Sequence, residues 1–216
     1  MEHGHSGEVF VAYDENFYKL YGEYLEEPRV RQVHRFAVKA LARHPDFDCV
    51  LDIGCGRHNE FLSLRGVTSR GFDSVYVGVD QNAGTSSSEF VDLWSGDYRA
   101  NDGEPAVKLA ALGELHSAVS LFSTECTAPE PVNRALYERL LTETPIRRLL
   151  VSGFYYEHAA GEETVGEAGG LVSYQTIAPI EACKSDAYVE TRLTLPCPSL
   201  LFGEDVIEVW RLLVRR

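Results

Sequence analysis

The chain has 216 residues, 44% of them hydrophobic and 11% aromatic, which supports one large folded domain and excludes a disordered chain. Its net charge of −13, from 33 acidic and 20 basic residues, disfavours a nucleic-acid partner, because phosphate binding needs clustered Lys and Arg. No apolar run approaches the ~20 residues of a membrane span, no basic-then-apolar leader opens the chain, and five cysteines without a C-x-x-C pair argue against a disulfide framework or a zinc site; together these place the chain in the cytosol.

Residues 14 to 27, DENFYKLYGEYLEE, open with Asp14 as a helix cap, and Phe17, Leu20, Tyr21 and Tyr24 follow at helical spacing. Pro28 suits the first turn of a second helix, with Val30, Val33, Ala37, Val38 and Leu41 on one face and His44-Pro45 at its end. Residues 1–47 thus read as a helical cap ahead of a main unit, 48–216. CVLDIG (49–54) is a buried strand and HNEFLSLRG a short helix; SVYVGVD (74–80) is a second strand and SEFVDLW a third. A helix in VKLAALGEL, a fourth strand in SAVSLFS (117–123), a helix in PVNRALYERLLTE and a fifth strand in RRLLVSGFYY continue the alternation. Near-continuous apolar strands separated by helices predict a mainly parallel sheet covered on both faces. HAAGEETVGEAGG (158–170), rich in Gly and Glu, is either a mobile loop over the site or a solvated connection. AYVETRLTLP and DVIEVWRLLVRR are joined only by CPSLLFGE, too short for a helical crossover, so they pair as an antiparallel hairpin. The expectation is a doubly wound α/β fold with a seven-stranded sheet.

In such a sheet ligands bind beyond the carboxyl ends of the strands. The turn after the first strand, Gly54-Cys55-Gly56, lets the backbone bend sharply and leaves no Cβ between main chain and ligand. The dinucleotide fingerprint G-x-G-x-x-G is incomplete, since Asn59 fills its third glycine position. Asp80 ends the second strand 24 residues past Gly56, close to the ~20-residue spacing at which a carboxylate reaches ribose hydroxyls. Asp52 beside the turn suits an ammonium group better than a pyrophosphate.

VLDIGCG followed by VYVGVD resembles motifs I and II of the class I S-adenosylmethionine-dependent methyltransferases, over about residues 48 to 156. His58 replaces that family's usual third glycine. The resemblance implies a Rossmann-like sheet with S-adenosylmethionine as cofactor. Asp52, Gly54 and Gly56 would hold its methionine end and Asp80 its ribose, with Cys55, Gln81 and Phe122 also among the cofactor-binding residues. An adenine-contacting carboxylate after the third strand is Asp92 or Asp97, with Asp92 preferred; the short, polar QNAGTSSSEFV between Asp80 and Asp92 departs from the family pattern.

The acceptor side is read from the fourth and fifth strands. LFSTECT (121–127) lacks the Asn/Asp-Pro-Pro-aromatic tetrapeptide of base N-methylating enzymes and is similar to the loop of small-molecule methyltransferases. Glu125 is a general base, a substrate-orienting group or a helix cap. His158 and Tyr155 or Tyr156, past the fifth strand, complete the candidate catalytic set; His116 belongs to the opposite end, and Cys126 reads as a small buried residue. Tyr13, Phe17, Tyr21 and Tyr24 form an aromatic stripe, either core or a wall for a small or cationic acceptor. The expected function is methyl transfer to a small molecule, on O or N; the alternative is a noncatalytic cofactor-binding partner or scaffold subunit.

Overall fold

The computed structural model describes residues 15–43, 45–56, 60–65, 76–80, 91–95, 104–111, 113, 115–127, 130–156, 166–168, 172–176, 180, 184–197 and 206–216. Helix α1 (Glu15–Glu26) leads into α2 (Pro28–Leu41) through an extended Glu27, and Pro28 occupies the first helical turn, where its missing N–H leaves no bond unmade. Alternation follows as β1 (Val50–Ile53), α3 (Glu60–Arg65), β2 (Tyr76–Asp80), β3 (Val91–Ser95), α4 (Glu104–Ala111), β4 (Ser117–Leu121), a one-turn α5 (Thr124–Thr127), α6 (Glu130–Glu143) and β5 (Arg148–Tyr156). The helix expected at residues 107–115 begins earlier because Glu104 and Pro105 suit a helix start, and it stops before Gly113. No helix among the described residues is long and apolar enough to cross a membrane.

Strands β1 to β5 are parallel in the order β3-β2-β1-β4-β5. The expected C-terminal hairpin is present: β8 (Tyr188–Pro196) and β9 (Val206–Arg215) pair antiparallel, and β9 also lies antiparallel against β5 along all nine of that strand's residues. Among the described residues the sheet nonetheless has nine strands, not the expected seven. The additional two are β6 (Gly166–Ala168) and β7 (Val172–Thr176), an antiparallel pair formed partly from the Gly- and Glu-rich stretch read as a loop or connection. β7 lies parallel to Tyr155 and Tyr156, the last two residues of β5, beyond the point where β4 has ended.

Alternate strand residues feed two cores. Val50, Tyr76, Val119, Leu150, Phe154 and Trp210 pack with Val30, Ala37 and Leu41 of α2 and Phe61 of α3. Leu51, Ile53, Val79, Ala118, Leu149 and Val151 pack on the other face with Val107 and Ala110 of α4 and Leu136, Leu140 and Leu141 of α6. Burying both faces is what forces near-continuous apolar strands. It also leaves the carboxyl edge of the sheet as the place where polar side chains meet.

Candidate functional site at the carboxyl edge of the sheet

The chain leaves β1 through two glycines with positive φ, 70° at Gly54 and 58° at Gly56, which side-chain-bearing residues rarely adopt. The N–H groups of Gly54 and Cys55 donate to the Val79 carbonyl at 2.7 and 3.3 Å, and the Gly56 N–H donates to Asp80 Oδ2 at 3.1 Å. The turn is therefore clipped to the end of β2, and the pair singled out in the sequence, Gly56 and Asp80, is in direct contact. Asp52 is buried in β1 and accepts from the Tyr76 hydroxyl at 2.5 Å. Burial lifts its pKa to about 7, the Tyr76 bond opposes this, and the negative charges of Glu60 and Asp80 add to it. Burial likewise drives the Cys55 thiol far up, with Asp52 and Asp80 reinforcing the shift, so Cys55 is no nucleophile. Cys126 behaves the same way, pushed up by burial to about 12.

Register locates Asp92, the preferred adenine candidate. It lies within β3 opposite Val77, whereas Asp80 pairs with Ser95, so Asp92 sits three residues short of the carboxyl end, about 10 Å away along the strand. Asp97, Gln81 and His158 lie outside the described residues, as does Tyr13.

Glu125 and Tyr155 do come together, but not as an acceptor-facing pair. The chain leaves β4 at Phe122, whose φ of 49° is left-handed, and its N–H donates to the Ser152 carbonyl at 2.9 Å. Helix α5 then packs Glu125 against Gly153 of β5 on the α6 face: a Cβ at Gly153 would stand 2.5 Å from Glu125 Cβ. Glu125 accepts from the hydroxyls of Tyr155 and Tyr137 and from Arg211 Nη1 at 3.3 Å. Arg211 also pairs with Glu130 at 3.2 Å and Glu190 at 3.1 Å. Glu125 and Tyr155 are 0% and 1% exposed. Glu125 is therefore held by a buried guanidinium and two phenols, in a cluster that joins α5, α6, β5 and β9. His116 is exposed at the amino end of β4, as expected.

Sequence reasoning missed a second polar cluster, on the α1–α3 face. His34 of α2 is fully buried; its Nδ1 lies 2.9 Å from Glu60 Oε1, and its Nε2 lies 3.1 Å from Glu208 Oε1. Tyr24 donates to Glu208 Oε1 at 2.6 Å, Trp210 Nε1 to Glu208 Oε2 at 3.1 Å, and Tyr21 to Glu60 Oε2 at 2.7 Å. Burial alone would lower the pKa of His34, but hydrogen bonds to Glu208 and Glu60 outweigh it and raise the value to about 9. The His34 ring stacks on Phe122 at 4.8 Å, and Phe122 on Phe154 at 4.5 Å. The available signals were a His on the inward stripe of α2 and a Glu beside Trp210 in an apolar strand. Neither reveals a partner until the fold brings them together.

A β3-β2-β1-β4-β5 sheet extended by the antiparallel β9 and edge strand β8, with a glycine turn after β1 and a carboxylate ending β2, is the fold of class I S-adenosylmethionine-dependent methyltransferases. Solved structures agree. Geranyl diphosphate C-methyltransferase from Streptomyces coelicolor, a complex with Mg2+, geranyl diphosphate and S-adenosyl-L-homocysteine, matches with TM-score 0.62 and 13% identity over 94% of this chain and 88% of that one. The 1,6-didemethyltoxoflavin N1-methyltransferase from Burkholderia thailandensis, with 1,6-didemethyltoxoflavin and S-adenosylhomocysteine bound, matches with TM-score 0.58 and 12% identity over 93% and 84%. A complex between the Haloferax volcanii Trm112 methyltransferase activator and a putative methyltransferase matches with TM-score 0.57 and 13% identity over 95% and 99%. Neither a family model nor a curated protein matches the sequence.

Proposed function

We propose that the chain binds S-adenosylmethionine at the carboxyl edge of β1 and β2 and transfers its methyl group to a small-molecule acceptor. When bound, that cofactor supplies a methyl group on a sulfonium, which needs alignment more than acid–base work. The carrying observation is the turn itself: two positive-φ glycines clipped by backbone N–H groups to Val79 and Asp80, with Asp52 beneath. These residues fit the cofactor's chemistry. Asp52 offers a carboxylate toward an ammonium group, Asp80 offers acceptors to a ribose diol, and the glycines let the main chain approach. Asp97, two residues past the end of β3, is the better candidate for the adenine amino group now that Asp92 lies back along the strand. Helices α1 and α2 serve as the cap.

A second reading, a partner-dependent or scaffold member of the fold, is supported by the burial of Glu125 and Tyr155, two of the candidate catalytic residues. The neighbour in complex with an activator protein supports the same reading. Release of S-adenosylhomocysteine by the purified protein across a panel of amine, hydroxyl and carbon acceptors separates the two. Turnover of any acceptor supports the transferase, whereas cofactor binding with no turnover supports the scaffold.

A further inference from the structure

The cap helices and α3 border a half-open cavity of about 530 Å³ whose lining includes Gly22, Leu25, His34, Glu60, Ser63 and Leu64. Glu60 is its charged floor, with a side chain 10% exposed. Among the described residues Tyr21 and His34 each donate to one of its oxygens, at 2.7 and 2.9 Å, which uses two of a carboxylate's roughly four acceptor positions. Behind it, both ring nitrogens of His34 face carboxylates, so among the described residues the cluster sets one imidazolium between Glu60 and Glu208, with one negative charge in excess. At the rim Arg31 pairs with Glu26 at 3.5 Å, and Glu23 adds further negative charge. On its inner side Glu60 is the first residue of α3, close enough to the glycine turn to act on Asp52, and His34 stacks on Phe122 at the end of β4. Two of the residues that line the cavity, Glu60 and His34, are therefore also neighbours of the cofactor turn and of the end of β4.

We propose that this cavity is the acceptor subsite of the transferase proposed above, that it takes a primary or secondary amine, and that Glu60 receives the amine's N–H. The inference rests on that reading for the use of the site, but not for the binding. An ammonium group meets an excess negative charge with a short charge-assisted hydrogen bond, whereas a neutral hydroxyl gains only an ordinary one. For methyl acceptance one N–H bond of the ammonium breaks, its electron pair stays on nitrogen as the nucleophilic lone pair, and the proton passes to a Glu60 oxygen and on to solvent. Tyr21 and His34 are positioning residues: they fix the carboxylate through its other acceptor positions.

The test needs no cofactor. The cofactor-free protein is titrated with 2-phenylethylamine and with its neutral counterpart 2-phenylethanol, and binding is followed through the methyl resonances of Leu25 and Leu64. The amine should saturate these shifts with at least about tenfold tighter affinity than the alcohol, and Glu60→Gln should abolish that preference. Equal binding of the two probes, an undiminished preference in Glu60→Gln, or no shift of Leu25 and Leu64 in the wild-type protein up to about 10 mM amine overturns the proposal. The wild-type titration stands even if Glu60→Gln misfolds. Failure of S-adenosylmethionine to bind would strike the transferase reading while leaving amine binding intact.

Discussion

His34 ties three separate pieces of chain together, and its charge decides whether it can. One ring nitrogen faces Glu60 of α3 and the other faces Glu208 of β9 and the hydroxyl of Tyr24 in α1. Its folded pKa of about 9 lies above the ordinary value of 6.5, so the folded state holds the proton more tightly than the unfolded chain. The resulting stabilisation is fully present below pH 6.5 and is lost as pH rises through about 9. Urea denaturation across that window should show the wild-type protein losing on the order of 3 kcal/mol relative to His34→Gln, which has no such titration. A parallel pH dependence in the two proteins would mean that His34 is neutral in the fold. At this scale Gly54, Gly56, Asp52 and Asp80 were legible because a turn's backbone needs and a strand-end carboxylate's reach are local properties. His34 and Glu208 were not, because their chemistry exists only once residues 174 positions apart are in contact.

Among the elements, the junction of β4, α5 and β5 is the most constrained. Because β4 stops opposite Ser152, α5 fills the space beside β5, and it fits only because Gly153 has no side chain. Gly153→Ala should cost about 1–3 kcal/mol in urea denaturation through overpacking; an unchanged midpoint would show that α5 moves freely away from β5. The same junction depends on Arg211 of β9, whose guanidinium reaches Glu125 of α5, Glu130 of α6 and Glu190 of β8. Arg211→Met leaves three carboxylates facing one another without that partner and should destabilise by about 3–5 kcal/mol, read as a lowered denaturation midpoint. A loss below about 1 kcal/mol would indicate a surface-like pair. The five parallel strands and the terminal hairpin were legible as apolar runs with a short final connection. β6 and β7 were not: Gly and Glu crowd residues 158–170 ahead of the short alternation of Val172, Tyr174 and Thr176, and the place of β7 beside β5 depends on β4 ending early. The partners of Glu125 were equally hidden, since sequence position after a strand does not say on which face of the sheet a side chain lies.

Across the whole molecule, two cores bury both faces of the sheet and push polar function to one edge. Asp52, Glu60, Asp80 and Glu208 gather near that edge, and among the described residues His34 is the cation set against Glu60 and Glu208. A ligand with positive charge relieves that excess, which fits a sulfonium-bearing amino acid in the turn and an amine beside it. Structural neighbours at 12–13% identity carry the fold but not the acceptor, so the pocket has to be probed directly. Calorimetric titration of the purified protein with S-adenosylhomocysteine does this most simply, with Asp80→Ala in parallel. The expected result is saturable binding with a Kd in about the micromolar range, weakened at least about tenfold by Asp80→Ala. No binding to the wild-type protein, or the same affinity in Asp80→Ala, would contradict a cofactor pocket built on Gly54, Gly56 and Asp80.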